Sequence, residues 1–248
     1  GYKGWLLFLD ELTSASPAVQ AAGYKLILDR MVGLHHLHEK VAIVGAGNLE
    51  TDGAIVTPMS TALQSRLVHL QVVYDARDWV NYANEAQYDH RITSYIEFRP
   101  DQGYNFSPTH TDKTYASPRT WEFADRLLKV CDLNRDTLPL FAGTLGEGTA
   151  REFMGYISIQ DSLPKLADII ASPKSIRVPD EPSVQFALTG ALAANITDTN
   201  CEPVMEFVKR MPAEFQVVAV RSMIKRNKAI AGAKPVTEWI NDASAELF

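Results

Sequence analysis

Two adjacent carboxylates, Asp10 and Glu11, directly follow the apolar run Trp5–Leu9. A continuous apolar run is typical of a parallel strand that is buried on both faces. Open α/β sheets bind ligands at the carboxyl ends of their strands, so both carboxylates are predicted to face a ligand crevice. There Asp10 could hold Mg²⁺ through its water shell, and Glu11 could orient and deprotonate an attacking water. The alternative is a buried strand with a solvated acidic end and no chemistry.

A polar side chain follows the next apolar run as well. Asn48 comes after Val41–Ala46, and that run is predicted to be a strand ending at the same edge of the sheet. Its amide could hydrogen-bond a γ-phosphate or the attacking water. The alternative is that Asn48 only serves its glycine-rich turn, because asparagine tolerates a left-handed backbone.

Two arginines could complete a site for phosphoryl transfer. Arg66 ends a short helix predicted to begin near Pro58, where an arginine could reach a neighbouring subunit and stabilise transition-state charge. Arg119 lies in the first turn of the helix predicted after Ser117, where a cation opposes the helix dipole, so contact with a phosphate would explain its place. For Arg66 the alternative is a partner of the helix dipole or a surface charge, and for Arg119 it is an exposed arginine near a helix cap.

The elements that must position these residues are strands first and helices afterwards. Trp5–Leu9, Val41–Ala46 and Leu67–Val73 are predicted strands, joined by helices that begin near Pro17 and Pro58. This order, with strands buried on both faces, predicts a doubly wound parallel α/β sheet. The remainder of the chain has mostly helical periodicity.

Four segments together resemble the Walker B, sensor 1, arginine-finger and sensor 2 segments of an AAA+ ATPase, in that order. They are Trp5–Glu11, Val41–Asn48, Thr57–Leu70 and Ser117–Arg119. The runs LFLDELTSASPAVQAAGYKLILDRMV and GAGNLETDGAIVTPMSTALQSRLVHLQV are similar to the MoxR branch, the second to a bacterial and phage-type subgroup. So are FRPDQGYNF, SPRTWEFADRLL and GTLGEGTAREFMGYISIQDSLPKLADIIASP. The resemblance covers residues 1 to about 225.

The resemblance implies a role for each candidate residue. Asp10 would serve Mg²⁺, and Glu11 would activate the attacking water. Asn48 as sensor 1 and Arg119 as sensor 2 would contact ATP, and Arg66 would act on the neighbouring subunit's site.

The resemblance also implies an architecture and partners. Residues 1–74 would be the C-terminal half of an α/β, P-loop AAA+ core, a partial doubly wound parallel sheet. Residues 75–150 would form a helical lid, and 151–248 a helical C-terminal region. Such ATPases form homo-oligomeric rings, usually hexamers, with ATP at each subunit boundary. They act as chaperone-like remodellers, often beside a protein with a von Willebrand factor A domain.

The chain departs from that pattern at the phosphate-binding loop. The motif G-x-x-x-x-G-K-[ST] has no match in the 248 residues. The glycine-rich run Gly143–Thr149 has no lysine and contains Glu147, and it is predicted to be a turn between two helices. We expect ATP affinity to be lost or severely weakened in this chain alone. We also expect the natural chain to begin roughly 80 or more residues upstream, with a naturally split or degenerate protein as the alternative.

Composition narrows the class of protein. The net charge of −6 argues against a chain whose main task is coating nucleic acid. Two cysteines, Cys131 and Cys201, fit a reduced intracellular protein, and no apolar run approaches the roughly 20 residues of a membrane span. We therefore expect a cytoplasmic protein. The alternative functions are a non-catalytic partner-binding module and, less favoured, a nucleic-acid motor.

Two clusters of charged or metal-ligating residues have competing interpretations. The segment His35–Glu39 could suggest a metal site, but its spacing is too tight for a tetrahedral site, and a hairpin is favoured. A basic cluster lies near the C-terminus, where a solvated helix face is favoured over a nucleic-acid or partner patch. Its members are Arg221, Lys225, Arg226 and Lys228.

Overall fold

A computed structural model describes residues 3–52, 56–110 and 112–247 of the chain. The protein divides into two compact units. The first comprises Gly1–Val72 with Ser107–His110, and the second comprises Val73–Phe106 with Thr111–Phe248. Over the described residues the secondary structure is twelve α-helices, short 3₁₀ turns, one parallel pair of strands and one antiparallel pair.

The first unit is built on a parallel pair of strands. Its elements are β1 (Trp5–Leu9), α1 (Pro17–Leu28), β2 (Met31–Val32), β3 (His35–His36), β4 (Val41–Gly45) and α2 (Thr61–Gln64). Strand β1 pairs in parallel with β4, from Trp5 opposite Val41 to Leu9 opposite Gly45. Because the pair is parallel, both strands end at the same edge of the sheet.

Local sequence explains the helix starts and the small hairpin of this unit. Proline in the first turn of α1 follows Ser16, and its missing N–H would have had no partner inside the helix. Ser60 caps α2 by accepting a hydrogen bond from the backbone N–H of Leu63. Strands β2 and β3 pair antiparallel, with Gly33 at a φ of +62° between them. The predicted hairpin around the histidines is therefore confirmed.

The predicted doubly wound parallel sheet of a P-loop core is wrong. The structure has only the two-stranded parallel sheet and the two-stranded antiparallel sheet among its described residues, and the rest of the regular structure is helical. The segment 67–73, predicted as a third strand, joins neither sheet, and its Val68, Leu70 and Val72 are 88%, 86% and 95% exposed. An alternating apolar pattern favours extended backbone, but a strand also needs a partner for its N–H and C=O groups.

The prediction that β1 is buried on both faces is also wrong. Trp5, Leu6 and Phe8 are exposed, although the run is continuously apolar. A sheet of two strands has too few neighbours to cover both of its faces.

The second unit is helical. Its helices are α3 (Ala76–Glu85), α4 (His90–Phe98), α5 (Pro118–Leu128), α6 (Leu138–Leu145), α7 (Glu147–Ile157), α8 (Leu166–Ala171), α9 (Pro182–Ala194), α10 (Cys201–Val208), α11 (Ala213–Arg226) and α12 (Lys234–Leu247). Helices α3 to α7 enclose one apolar cluster that contains Tyr95, Trp121 and Phe153. Helices α8 to α12 enclose most of a second one, which contains Phe207 and Met223. Gly146, at a φ of +88°, separates α6 from α7. The helix-to-helix turn predicted for Gly143–Thr149 therefore exists, but it is confined to Gly146, and the rest of that run belongs to the two helices.

Helix α9 packs closely on α4 at Gly190. A Cβ at this position would lie 2.8 Å from the Cβ of Ser94 and 3.0 Å from the carbonyl oxygen of His90. We expect Gly190→Ala to lower the free energy of unfolding by about 1–3 kcal/mol, because the backbone of α4 must move. Gly143→Ala in α6, where a Cβ meets nothing within 4 Å, is the matched control and should stabilise by about 0.5–1 kcal/mol. Urea unfolding followed by circular dichroism measures both, and equal effects would contradict the close packing.

Candidate functional site

The carboxyl edge of the parallel strands brings three of the predicted site residues together. Asp10 and Glu11 follow β1 directly, and Asn48 lies three residues beyond the end of β4. The side-chain amide of Asn48 donates to Oε2 of Glu11 at 3.4 Å, across a sequence separation of 37 residues. All three residues are exposed, so a ligand can reach them.

The backbone at Glu11 adopts an unusual conformation. Its φ is +54°, in the left-handed region that few residues other than glycine, asparagine and aspartate enter. Its amide N–H donates to Oδ1 of Asp10 at 3.0 Å, so the two carboxylates share one tight turn. The Ser14 hydroxyl donates to Oε2 of Glu11 at 2.8 Å, and the Ser14 N–H donates to the Glu11 carbonyl at 3.0 Å. Strained backbone of this kind concentrates at functional sites.

Contacts between the two loops hold this arrangement. The N–H of Leu12 donates to the carbonyl of Ala46 at 2.8 Å, and the Thr13 hydroxyl donates to the carbonyl of Asn48 at 3.1 Å. A Cβ on Gly47 would lie 2.3 Å from Oγ1 of Thr13, so only glycine allows this approach. The sequence did not predict Thr13, Ser14 or Gly47 as site residues. The available signal was that threonine, serine and glycine are typical of turns and that these three residues lie close in sequence to the two carboxylates or to Asn48.

A cavity of about 610 Å³ lies beside Asn48 in the first unit. Its lining includes Thr13, Glu50, Thr57 and His69. The cavity is large enough for a small ligand and is lined by both polar and apolar side chains. The site therefore combines two carboxylates, an amide donor and an adjacent open space.

Arg66 lies in the same unit, just after α2. Its guanidinium donates to the Ala62 carbonyl at 2.7 Å and to the Ser65 hydroxyl at 3.3 Å, and it lies 5.5 Å from the centroid of the Tyr24 ring. It forms no ion pair with any described carboxylate. Through the contact with Ala62, Arg66 acts as a cation that hydrogen-bonds a carbonyl in the last turn of a helix. Its action on a neighbouring subunit stays a prediction.

Arg119 belongs to the second unit. It follows the proline that opens α5, and this helix start has a full capping box between Ser117 and Thr120. The side chain of Arg119 is exposed, and within the described part of the chain it has no hydrogen-bond or ion-pair partner. Its guanidinium is therefore free to meet a ligand, and its contact with a phosphate stays a prediction.

The basic residues near the C-terminus largely pair within the helical unit. Arg221 donates to Glu97 at 2.6 Å, Lys225 donates to Glu85 at 2.8 Å, and Arg226 donates to Oδ1 of Asn84 at 2.8 Å. Glu97 is buried; burial raises the pKa of its carboxyl, and the nearby Arg221 acts against that shift. The favoured interpretation, a solvated basic face, is wrong for Arg221 and Arg226, which join α11 to α3 and α4. Because both guanidinium groups are paired within the helical unit, they do not form an unpaired basic patch for nucleic acid.

The donor set at the strand ends fits magnesium better than it fits a whole nucleotide. Mg²⁺ commonly binds one or two carboxylates and keeps several of its waters, and Asp10 offers an exposed carboxylate for that purpose. A triphosphate needs a cradle of N–H groups and a lysine, and the sequence has no such motif. In the part of the chain that the structure describes, no cluster of three metal-ligating side chains is found, so the histidines form no closed metal site.

Comparisons with protein-family models, curated proteins and solved structures find no match for this chain. The similarity to MoxR-like ATPases therefore stays a prediction from the sequence. Among the described helices, none is long and apolar enough to cross a membrane.

Proposed function

We propose that the chain supplies the magnesium- and water-handling half of an ATP-hydrolysing site in a ring-shaped, chaperone-like remodelling complex of the MoxR-like type. One observation carries the proposal. Two parallel strands end side by side, and their loops bring Asp10, Glu11 and Asn48 together through the contact between Asn48 and Glu11. Carboxylates that hold a metal ion and position water, with an amide beside them, are groups that can serve phosphoryl transfer to water.

Each residue has one task in the proposed reaction. Asp10 would hold Mg²⁺, which supplies charge neutralisation for the phosphates when it is bound. A water oxygen forms a bond to the γ-phosphorus while the bond from that phosphorus to its bridging oxygen breaks, and ADP leaves with the bridging oxygen. The water proton passes to Glu11. Arg119 and Arg66 would offset phosphate charge, Arg66 at the site of a neighbouring subunit.

The phosphate-binding loop has to come from outside these 248 residues, because the sequence contains no such motif. A ring of subunits with sites at their boundaries provides the setting in which Arg66 meets a phosphate. The proposal includes a protein with a von Willebrand factor A domain as a partner of this complex.

The proposal predicts that Glu11→Gln lowers the rate of Mg²⁺-dependent ATP hydrolysis by about 100-fold or more, because the amide cannot accept the water proton. The rate is measured on the complete assembly, isolated through a tag on this chain. Glu39→Gln makes the same chemical change at an exposed glutamate two residues before the start of β4, at the end of the strand opposite to the site, and should leave the rate unchanged. An assembly without ATP hydrolysis, or an unchanged rate in Glu11→Gln, would contradict the proposal.

One observation favours the second function, a non-catalytic partner-binding module. The segment 68–73 exposes Val68, Leu70, Val72 and Val73, each more than 70% accessible. Contiguous exposed apolar side chains commonly mark surfaces for association. This function predicts stable assembly with no loss of function in Glu11→Gln, which separates it from the ATPase.

A further inference from the structure

We propose that Ser14 is a positioning residue for Glu11, an inference that rests on the proposed function. The hydroxyl of Ser14 donates to Oε2 of Glu11 at 2.8 Å. The amide of Asn48 donates to the same oxygen at 3.4 Å. One carboxylate oxygen is therefore held by donors from two different loops.

The other oxygen of the same carboxylate is left for chemistry. Among the described residues, none donates a hydrogen bond to Oε1 of Glu11. A carboxylate can accept about four hydrogen bonds, and here the donors are confined to one side of the group. In the proposed reaction Oε1 receives the water proton, while Oε2 keeps the carboxylate in place.

Ser14 is the stronger of the two donors. A hydroxyl-to-carboxylate distance of 2.8 Å lies within the usual range, whereas 3.4 Å from an amide nitrogen is long. The backbone turn from Glu11 to Ser14, closed at 3.0 Å, sets the hydroxyl beside the carboxylate. Glu11 is exposed and would otherwise sample several rotamers, so fixing it in advance removes an entropic cost from catalysis.

Ser14 neither gives nor takes the transferred proton. It donates its own hydroxyl proton to a hydrogen bond and touches no reacting atom in the proposed reaction. Its removal should therefore lower turnover without abolishing it, and the whole of its effect should pass through Glu11.

The contact is tested first on the 248-residue chain without nucleotide. The side-chain carboxyl ¹³C resonance of Glu11 is assigned by its disappearance in Glu11→Gln. We expect Ser14→Ala to move this resonance and Ser14→Thr, which keeps the hydroxyl, to leave it near its original position. Ser175→Ala, at a surface serine whose hydroxyl donates only to the Ser172 carbonyl, is the matched control and should leave it unmoved. An unmoved resonance in Ser14→Ala would overturn the inference whatever the activity.

The role is tested next on the complete assembly. We expect Ser14→Ala to lower kcat for ATP hydrolysis about 3- to 10-fold, the range of one hydrogen bond, with KM unchanged and most of the rate restored in Ser14→Thr. In a Glu11→Gln background Ser14→Ala should have no further effect. A wild-type kcat in Ser14→Ala, or the same fractional loss in both backgrounds, would overturn the role of Ser14 alone. An unchanged rate in Glu11→Gln itself would overturn the proposed function together with this inference.

Discussion

Trp121→Ala should lower the free energy of unfolding of the helical unit by about 3–5 kcal/mol. Trp121 is fully buried in α5, with ring centroids 5.7 Å from Tyr95 and 5.2 Å from Phe153. Its indole N–H also donates to the carbonyl of Gln102 at 2.8 Å. Truncation leaves a cavity among aromatic rings and removes the donor that this partly enclosed carbonyl uses.

The matched control lies on the same helix. Phe123 is 43% exposed, and Arg126 stacks on its ring. Phe123→Ala should therefore cost no more than about 1 kcal/mol. Urea unfolding followed by far-ultraviolet circular dichroism measures both variants. A loss below about 1 kcal/mol in Trp121→Ala would show that this side chain does not anchor the core.

The stability of the helical unit should fall as the pH decreases from 6.5 towards 4, and His90 should cause a large part of the loss. Burial lowers the pKa of His90 from 6.5 to about 4; Asp89 acts against this shift, and Arg226 and Arg91 add to it. Below pH 6.5 the imidazole of His90 binds a proton in the unfolded chain, but in the folded chain it stays neutral until the pH approaches 4. The contribution of His90 to the free energy of unfolding is therefore complete above pH 6.5 and is lost on acidification. This difference in pKa corresponds to about 3 kcal/mol at most.

The experiment follows urea unfolding from pH 7.5 to pH 4.5 in wild type and in His90→Gln, which does not titrate in this range. We expect the variant to lose distinctly less stability over the same interval. By sequence His90 is the only histidine of the second unit, and His36→Gln in the first unit serves as the control. Parallel curves for wild type and His90→Gln would contradict the assigned pKa shift.

Much of the secondary structure follows from local sequence. The predicted strands at Trp5–Leu9 and Val41–Ala46 agree with β1 and β4, because continuous apolar runs bounded by turn residues specify extended backbone locally. Proline after serine marks the starts of α1 and α5 for the same local reason. Helix α6 was not predicted, since Pro139 and Gly143 obscure its pattern, although proline is tolerated in a first turn.

The number of paired strands could not be predicted, because pairing depends on a partner elsewhere in the chain. The segment 67–73 has a strand-like pattern, yet no described strand lies beside it. The same limit applies to charges. From the sequence, Arg221 and Arg226 are predicted to lie on a solvated basic face. In the structure they donate hydrogen bonds to Glu97 and Asn84, which belong to other helices.

The sequence by itself determined that two carboxylates and an asparagine follow two apolar strands, and hence that Asp10, Glu11 and Asn48 could share one edge. Only the tertiary structure decided how they meet. The parallel register of β1 and β4, the left-handed backbone at Glu11 and the contacts of Ser14 depend on distances between segments far apart in sequence or on the path of a turn. Residue types specify local conformation, whereas hydrogen bonds between loops exist only after the chain has packed.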